Sequence, residues 1–110
     1  EQVDQFILAK RALAAQYEVF LVGGPVQFFC EPVNCRSNYW LNAVTCEDRL
    51  MRDALLAETN SAGVSTRPIW TLMNRLPMYE DADCGDLGTS EWLESRVVNL
   101  PSSVILERSA

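Results

Sequence analysis

The apolar residues in the first half of the chain change their spacing from one segment to the next. Residues 4–21 carry apolar side chains three or four positions apart, which predicts an amphipathic helix, and a Gly-Gly-Pro sequence at residues 23–25 ends it. Residues 26–30 indicate a short strand. Residues 37–46 are apolar on both alternating faces, which predicts a strand covered on both sides. The helix face expected to pack inward consists of Phe6, Ala9, Leu13, Tyr17 and Phe20.

The second half of the chain predicts two more helices. Residues 47–48 are acidic and suit the positive end of a helix dipole, and the polar residues 60–63 end that helix. Thr89 or Ser90 is expected to cap a third helix, which Pro101 stops. The side chains expected to face inward are Leu50, Met51, Ala54, Leu55 and Ala57 in the second helix and Trp92, Leu93, Val97 and Val98 in the third.

Residues 65–79, STRPIWTLMNRLPMY, fit neither a helical nor a strand periodicity. The stretch combines seven large apolar or aromatic side chains with two arginines, two prolines and an asparagine. Its prolines argue against a continuous helix and against a central strand. We therefore expect a short strand that runs into an irregular, apolar segment, held in place so that it faces another domain, a subunit or a ligand.

The order of the predicted elements is helix, strand, strand, helix, strand, helix. This order favours an α+β fold in which a small, mostly antiparallel sheet has helices packed on one face. A length of 110 residues predicts a single domain over residues 1–110.

Charge and hydropathy narrow the function classes. The net charge is −6 and the chain has no run of Lys or Arg, which argues against nucleic-acid and anionic-membrane binding. No apolar run approaches the ~18 residues of a transmembrane helix, and the first residues lack the pattern of a signal peptide. The expected location is the cytoplasm.

The cysteines and the absence of histidine limit the chemistry further. The four cysteines form no C-x-x-C pair and the chain has no histidine, so no metal site is predicted. Cys30 and Cys35 could form a disulfide, but buried reduced thiols fit a cytoplasmic protein better. Without histidine, the commonest general base and partner of a nucleophile is missing. The single lysine, Lys10, lies in a predicted surface helix with nothing that would desolvate it.

Two clusters of polar and aromatic residues are candidate binding sites. Arg36, with Asn38 and Tyr39 nearby, could engage an anion through its guanidinium, or could be a turn arginine with a local hydrogen bond. Trp and Tyr combine flat contact area with one hydrogen-bonding group, which suits sugars and bases, but they are also enriched at interfaces. The second cluster consists of Arg67, Trp70, Asn74 and Tyr79.

Three motifs in this order resemble the C-terminal small domain of the DegT/StrS family: CRSNYWLNAV, RDALLAETNSAGVSTRPIWTLMNRLPMY and LESRVVNLPSS. These proteins are pyridoxal-phosphate-dependent aminotransferases that act on nucleotide-linked keto-sugars. The resemblance covers residues 6–103 and points to the branch of the legionaminic-acid and perosamine type.

The resemblance implies a fold-type-I aminotransferase small domain. In the family, the lysine that holds the cofactor and the phosphate-binding residues lie in a larger, earlier domain, and Lys10 does not match that lysine. Arg67, Trp70 and Asn74 would be substrate-side residues by this resemblance. Relatives usually carry histidine where this chain has Asn74, and asparagine can hydrogen-bond but cannot titrate.

Two functional hypotheses follow, and a third, an enzyme of unrelated chemistry, is disfavoured because the chain lacks histidine. The first is a C-terminal domain or truncated fragment of a sugar aminotransferase, inactive alone, which binds no cofactor alone and meets a nucleotide sugar only in a full-length context. The second is a stand-alone module that dimerises or holds a partner through its exposed domain seam. The residues expected at that interface are Ile69, Leu72, Met73, Met78 and Tyr79.

Overall fold

The protein is described by a computed structural model that covers residues 2–106. Within these residues, three α-helices, four short strands and two single-turn 3₁₀ helices follow one another. In chain order they are α1 (Gln2–Leu21), β1 (Gln27–Phe28), β2 (Asn42–Thr45), α2 (Arg49–Ser61), β3 (Arg67–Pro68), the 3₁₀ turns Met73–Arg75 and Pro77–Tyr79, α3 (Gly88–Glu94) and β4 (Val97–Leu100).

The four strands form one antiparallel sheet in the order β1-β2-β4-β3. Strands β2 and β4 occupy its centre, with Val44 opposite Val98. The edge strand β3 pairs with β4, so that Arg67 lies opposite Asn99. The α+β class predicted from the sequence is confirmed.

The core lies on the sheet face that carries Val44 and Val98. Both valines are buried, together with Val26 and Cys46. Helices α1 and α2 cover this same face, because the residues packed against the cluster come from both of them. Burying each valine stabilises the fold by roughly 1.5–3 kcal/mol. The half-buried residues packed around the cluster are Leu21, Phe28, Met51, Leu55, Leu56 and Leu100.

Helix α2 begins close to where its acidic residues predict. Asp48 is the N-cap, and its carboxylate accepts a hydrogen bond of 2.8 Å from the backbone N–H of Met51. After the helix ends, Gly63 has φ +82, a left-handed conformation that glycine adopts without a Cβ penalty.

The prediction that Val97 and Val98 lie on a third helix is wrong. Helix α3 ends at Glu94, and the two valines belong to the central strand β4. The N-cap is Leu87 rather than Thr89 or Ser90, and it makes no side-chain capping bond. β-branched valines fit the half-buried surface of a pleated sheet, and pairing with β2 buries both of them.

The strand predicted over residues 37–46 is shorter in the structure, where it spans Asn42–Thr45. Tyr39 has φ +47, which is incompatible with an extended strand. The preceding backbone is held by local bonds instead. Ser37 Oγ accepts from the N–H of Tyr39 at 3.0 Å, and Asn38 Oδ1 accepts from the N–H of Trp40 at 3.0 Å.

The predicted inward faces of α1 and α2 are only partly correct. Phe6 and Phe20 of α1 and Leu50 of α2 are exposed, whereas Ala14 is the residue of α1 that is buried. The first turns of α1 border the loop residues 36–38 rather than the buried cluster of the sheet. No helix in this part of the chain is long and apolar enough to cross a membrane.

Candidate functional site

A cleft of about 590 Å³ opens between the edge strand β3 and the residues that follow β4. Its size falls within the range of small-molecule sites. The lining mixes an arginine, an exposed tryptophan, an asparagine and three serine hydroxyls with apolar side chains. The residues that line it are Leu41, Ser65, Arg67, Pro68, Trp70, Asn99, Leu100, Pro101, Ser102 and Ser103.

Strand β3 places Arg67 at this cleft. Pro68 lacks a backbone N–H and is therefore tolerated only where the strand has a free edge, which is where β3 lies. Directly opposite residues of antiparallel strands share a sheet face, so Arg67 and Asn99 lie on the face opposite Val44 and Val98.

The guanidinium of Arg67 is partly held by its own domain. Its Nη1 donates to Asn60 Oδ1 at 3.0 Å and to the carbonyl of Thr66 at 2.8 Å. Its Nε and Nη2 have no hydrogen-bond partner within residues 2–106. The arginine is therefore anchored at one nitrogen and open at the other two.

Trp70 supplies the aromatic surface of the cleft. Its side chain is 68% exposed, although tryptophan is a residue that proteins usually bury for most of its area. An exposed indole beside an arginine and hydroxyl groups can stack on a sugar ring or a base while the polar groups hydrogen-bond to it. This combination suits a polar, partly flat ligand with a negative charge.

Helix α1 anchors the wall of the cleft formed by residues 101–103. Lys10 Nζ donates to the carbonyls of Ser102 and Trp40, and Tyr17 donates its hydroxyl to the carbonyl of Pro101 at 2.8 Å. Partial burial raises the pKa of Tyr17. The lysine that the sequence placed on a surface helix is thus a structural anchor.

Ser102 links this wall to the central strand. Its Oγ accepts from the backbone N–H of Asn42 at 2.8 Å and donates to the carbonyl of Leu100 at 2.8 Å. Asn42 is buried, and its Oδ1 has no partner within residues 2–106. In the sequence analysis neither residue is singled out, since both lie only within the longer motifs that resemble the family.

Asn74 does not line the same cleft as Arg67 and Trp70. It lies at a second cavity of about 340 Å³, formed by the 3₁₀ turns and the acidic loop that leads to α3. The structure thus brings together two of the three predicted substrate-side residues. The second cavity is lined by Leu72, Met73, Asn74, Tyr79, Ala82, Asp83, Cys84, Leu87 and Ser90.

Glu94 holds the irregular segment 69–79 against α3. Its carboxylate accepts from the backbone N–H of Leu72 at 2.8 Å and pairs with the guanidinium of Arg75. Arg75 also lies 3.7 Å from Glu91. The prediction of an irregular segment tied to the domain is confirmed, and these charged residues, which the sequence did not single out, supply part of the connection.

Arg36 and Asn38 line a third groove, of about 400 Å³, beside the first turns of α1. Tyr39 has a structural position instead. Its hydroxyl accepts from the backbone N–H of Glu31 at 2.9 Å, and its ring stacks on Phe28 with centroids 6.3 Å apart. Whether Arg36 and Asn38 bind an anion stays a prediction.

An ion pair between Arg11 and Glu31 orders the loop behind this groove. Arg11 donates from Nη1 and Nη2 to the two carboxylate oxygens at 2.8 and 2.6 Å, and its Nη1 also donates to the carbonyl of Ser37 at 2.6 Å. The hydrogen bonds from Arg11 and then from the N–H of Ser37 lower the pKa of Glu31 to about 2. This pair could not be predicted from the sequence, because twenty residues separate its members.

The five residues predicted at an interface differ in exposure. Ile69 and Leu72 are half-buried in the domain. Met73, Met78 and Tyr79 have 62%, 72% and 43% of their area exposed. Three of the five predicted interface residues are therefore open to water, and whether they form an interface stays a prediction.

The expectation of buried thiols holds for one cysteine. Cys46 is buried in the core, whereas Cys30, Cys35 and Cys84 are exposed, and all four are free thiols. A hydrogen bond with Glu18 raises the pKa of Cys30. Cys46 follows a central strand, whereas the other three cysteines lie in exposed loops.

Comparison with known proteins gives a consistent set of relatives. The model of the DegT/DnrJ/EryC1/StrS aminotransferase family matches residues 1–110. The chain is 32% identical over 105 residues to GDP-perosamine synthase of Vibrio cholerae, a match that covers 93% of this chain and 29% of that protein.

Solved structures establish the fold independently. The aminotransferase TlmJ from Streptoalloteichus hindustanus superposes with a TM-score of 0.81 at 21% identity, over 92% of this chain and 27% of that one. DesV from S. venezuelae superposes with a TM-score of 0.79 at 23% identity, over 92% and 28%. The chain thus spans less than a third of the length of each of these relatives.

Proposed function

This chain belongs to the DegT/DnrJ/EryC1/StrS aminotransferase family, and we propose that it forms the C-terminal small domain of an aminotransferase that acts on a nucleotide-linked sugar. The observation that carries the proposal is the cleft in which Arg67 and Trp70 meet, in a chain 32% identical to a GDP-perosamine synthase. Because the chain spans 29% of that relative, the remaining parts of an aminotransferase site would come from residues outside this domain.

In this proposal the cleft is one half of a substrate site. Arg67 supplies positive charge for an anionic part of the substrate, and Trp70 stacks on a sugar or a base. Asn74 contributes a hydrogen bond from the second cavity, so that a substrate would contact both openings. The hydroxyls of Ser65 and Ser103 suit the polar groups of a sugar, whereas the hydroxyl of Ser102 is already bonded to Asn42 and Leu100.

Aminotransferases of this family depend on pyridoxal phosphate, which is held through a lysine amine and supplies the electron sink for amino-group transfer. The residues of this chain do not fit that cofactor. Lys10 is the chain's single lysine, and its ammonium is engaged by the carbonyls of Trp40 and Ser102. We therefore propose that the domain alone neither holds the cofactor nor transfers an amino group.

Titration of the ¹⁵N-labelled chain with a GDP-linked hexose tests the half-site. We expect weak binding that shifts the resonances of Arg67, Trp70 and Asn99, because the domain supplies only part of the contacts. The matched variants are Trp70→Ala and Trp40→Ala, since both indoles are 68% exposed but only Trp70 lines the cleft. The first variant should weaken binding about tenfold, which corresponds to one stacking contact of ~1–2 kcal/mol.

Two outcomes would contradict the proposal. One is that the sugar shifts residues around Arg36 and leaves the cleft unchanged. The other is that pyridoxal phosphate added to the chain alone gives an absorbance band that the Lys10→Arg variant lacks.

The exposed methionines favour a second role, in which the surface of Trp70, Met73, Met78 and Tyr79 pairs with another copy of the chain. These four side chains lie within ten residues of one another along the chain and have 43–72% of their area exposed. Large exposed apolar patches mark interaction sites in soluble proteins. Sedimentation analysis over a range of protein concentrations tests this role.

A further inference from the structure

We infer that Asn60 is a positioning residue that fixes the guanidinium of Arg67, so that its Nε and Nη2 face an oxyanion of the ligand in the cleft. The inference deepens the proposed function and rests on it for the identity of the ligand. The orientation of Arg67 itself rests only on the hydrogen bonds around Asn60.

Asn60 lies in the last turn of α2, seven residues before Arg67. Its amide nitrogen donates to the carbonyl of Leu56 at 2.8 Å, to Thr66 Oγ1 at 2.9 Å and to the carbonyl of Thr66 at 3.1 Å. Its oxygen accepts from Arg67 Nη1. The side chain therefore joins the end of the helix to the start of β3.

The chemistry of these partners allows only one orientation of the Asn60 amide. If the amide were turned over, its oxygen would face three other oxygens and its NH₂ group would face a guanidinium that has no acceptor. The Asn60 oxygen is consequently directed at Arg67. The four hydrogen bonds of the Asn60 side chain therefore constrain its orientation more strongly than a single surface hydrogen bond would.

A chain of hydroxyl groups supports Asn60 from beneath. Thr66 is 1% exposed, and its Oγ1 lies 2.6 Å from Thr59 Oγ1, which in turn lies 2.6 Å from the carbonyl of Leu55. Because Thr66 Oγ1 accepts from Asn60, its own proton is directed to Thr59, and the proton of Thr59 is directed to Leu55. Each hydroxyl proton then has one short hydrogen bond, and for Thr59 the carbonyl of Leu56 at 3.4 Å is a longer alternative acceptor.

The two bonds to Nη1 determine which side of Arg67 is open. Nη1 carries two protons, and Asn60 and Thr66 accept both of them. The Nε and Nη2 protons lie parallel on another edge of the planar group, and this edge matches two oxygens of a phosphate or a carboxylate. The shared ligand chemistry is an oxyanion, carried either by a nucleotide diphosphate or by an acidic sugar.

The first test measures the positioning in the free protein. Rotation of the Arg67 guanidinium can be followed by ¹⁵N NMR of its side chain, and we expect it to be slow in the wild type and fast in Asn60→Ala. Thr59→Val is the matched control, since it removes hydroxyl bonds from the same network without touching Arg67. Equal rotation rates in the wild type and Asn60→Ala would overturn the inference, as would equal loss of order in both variants.

The second test measures affinity for three probes: inorganic phosphate, GDP and glucuronate. We expect Asn60→Ala to weaken oxyanion binding about three- to tenfold, the cost of ordering one long side chain, and Thr59→Val to change it less than about twofold. When Arg67→Lys is added to each variant, Asn60→Ala and Thr59→Val should have the same oxyanion affinity. A lysine ammonium has no second nitrogen for Asn60 to orient toward the ligand.

The three probes distinguish a diphosphate from an acidic sugar as the source of the oxyanion. They also test the role of Asn60 separately from the identity of the proposed substrate. Preference for GDP identifies a diphosphate, and preference for glucuronate identifies an acidic sugar. If phosphate binds through Arg67 and depends on Asn60, but GDP-linked hexose binds elsewhere, the positioning role stands and the proposed substrate fails. If all three probes bind equally well to wild type and Asn60→Ala, the positioning role fails.

Discussion

At the scale of single residues, the pair Arg11–Glu31 gives a pH-dependent prediction. The folded protein lowers the pKa of Glu31 from 4.5 to about 2, chiefly through the hydrogen bond from Arg11. A lowered pKa means that the pair stabilises the fold above about pH 4.5 and that this contribution is lost as the pH falls toward 2. We expect Glu31→Gln to lower the melting temperature at pH 7 and to have progressively less effect below pH 4.5.

The control for this prediction is Glu58→Gln, because Glu58 is exposed and forms no ion pair within residues 2–106. Circular dichroism at a series of pH values measures both variants against the wild type. A Glu31→Gln difference that stays constant from pH 7 to pH 3 would show that the carboxylate charge contributes nothing.

The residues that sequence reasoning missed share one property at this scale. From the sequence, Asn60 is placed only at the end of a helix, and neither Glu31 nor Glu94 is singled out. Each of them acts through a partner whose position depends on the fold, as Glu31 does with Arg11. The spacing of apolar residues along the chain predicts helices and strands. It carries no information on a hydrogen bond between side chains that are twenty residues apart.

At the scale of secondary-structure elements, the spacing of apolar residues predicts a helix where the structure has the strand β4. The spacing of Trp92, Leu93, Val97 and Val98 is that of one face of a helix, and it predicts a helix that is about one turn longer than the observed α3. Helix α3 ends at Glu94, and a turn through Ser95 and Arg96 leads into the strand. Pairing with β2 then buries both valines, and this tertiary gain outweighs local helical preference. The α2 start and the 65–79 segment were predictable because Asp48 and the two prolines act locally.

Val98 tests the assignment of β4 to the centre of the core. It is fully buried opposite Val44, so Val98→Ala should lower the free energy of unfolding by about 2–3 kcal/mol, from lost burial and a small cavity. In a helix, alanine would instead be the favoured residue. The control is Val19→Ala on α1, which is 78% exposed and should change stability by less than about 0.5 kcal/mol. Urea denaturation measures both, and similar effects of the two variants would contradict the strand assignment.

At the scale of the whole molecule, the domain is elongated, with principal extents of 55 × 32 × 28 Å. Helix α1 extends past the sheet, and Val3, Phe6 and Leu8 in its first turns are exposed. The surface of Trp70, Met73, Met78 and Tyr79 is open as well. Within residues 2–106, this chain, which spans under a third of its relatives' length, thus exposes apolar side chains at two places, and exposed apolar patches often mark interaction sites.

The prediction at this scale is that the isolated chain self-associates reversibly through the methionine surface. Met73→Glu combined with Met78→Glu should shift the equilibrium to monomer, because two carboxylates on each copy would be desolvated and would repel their counterparts across the interface. Val33→Glu is the matched control, since Val33 is 88% exposed in the loop near Asn34, far along the sequence from the methionines. Sedimentation velocity across a hundredfold range of concentration distinguishes the variants. A wild-type chain that remains monomeric at the highest concentration would show that this apolar surface tolerates water, and it would contradict the prediction.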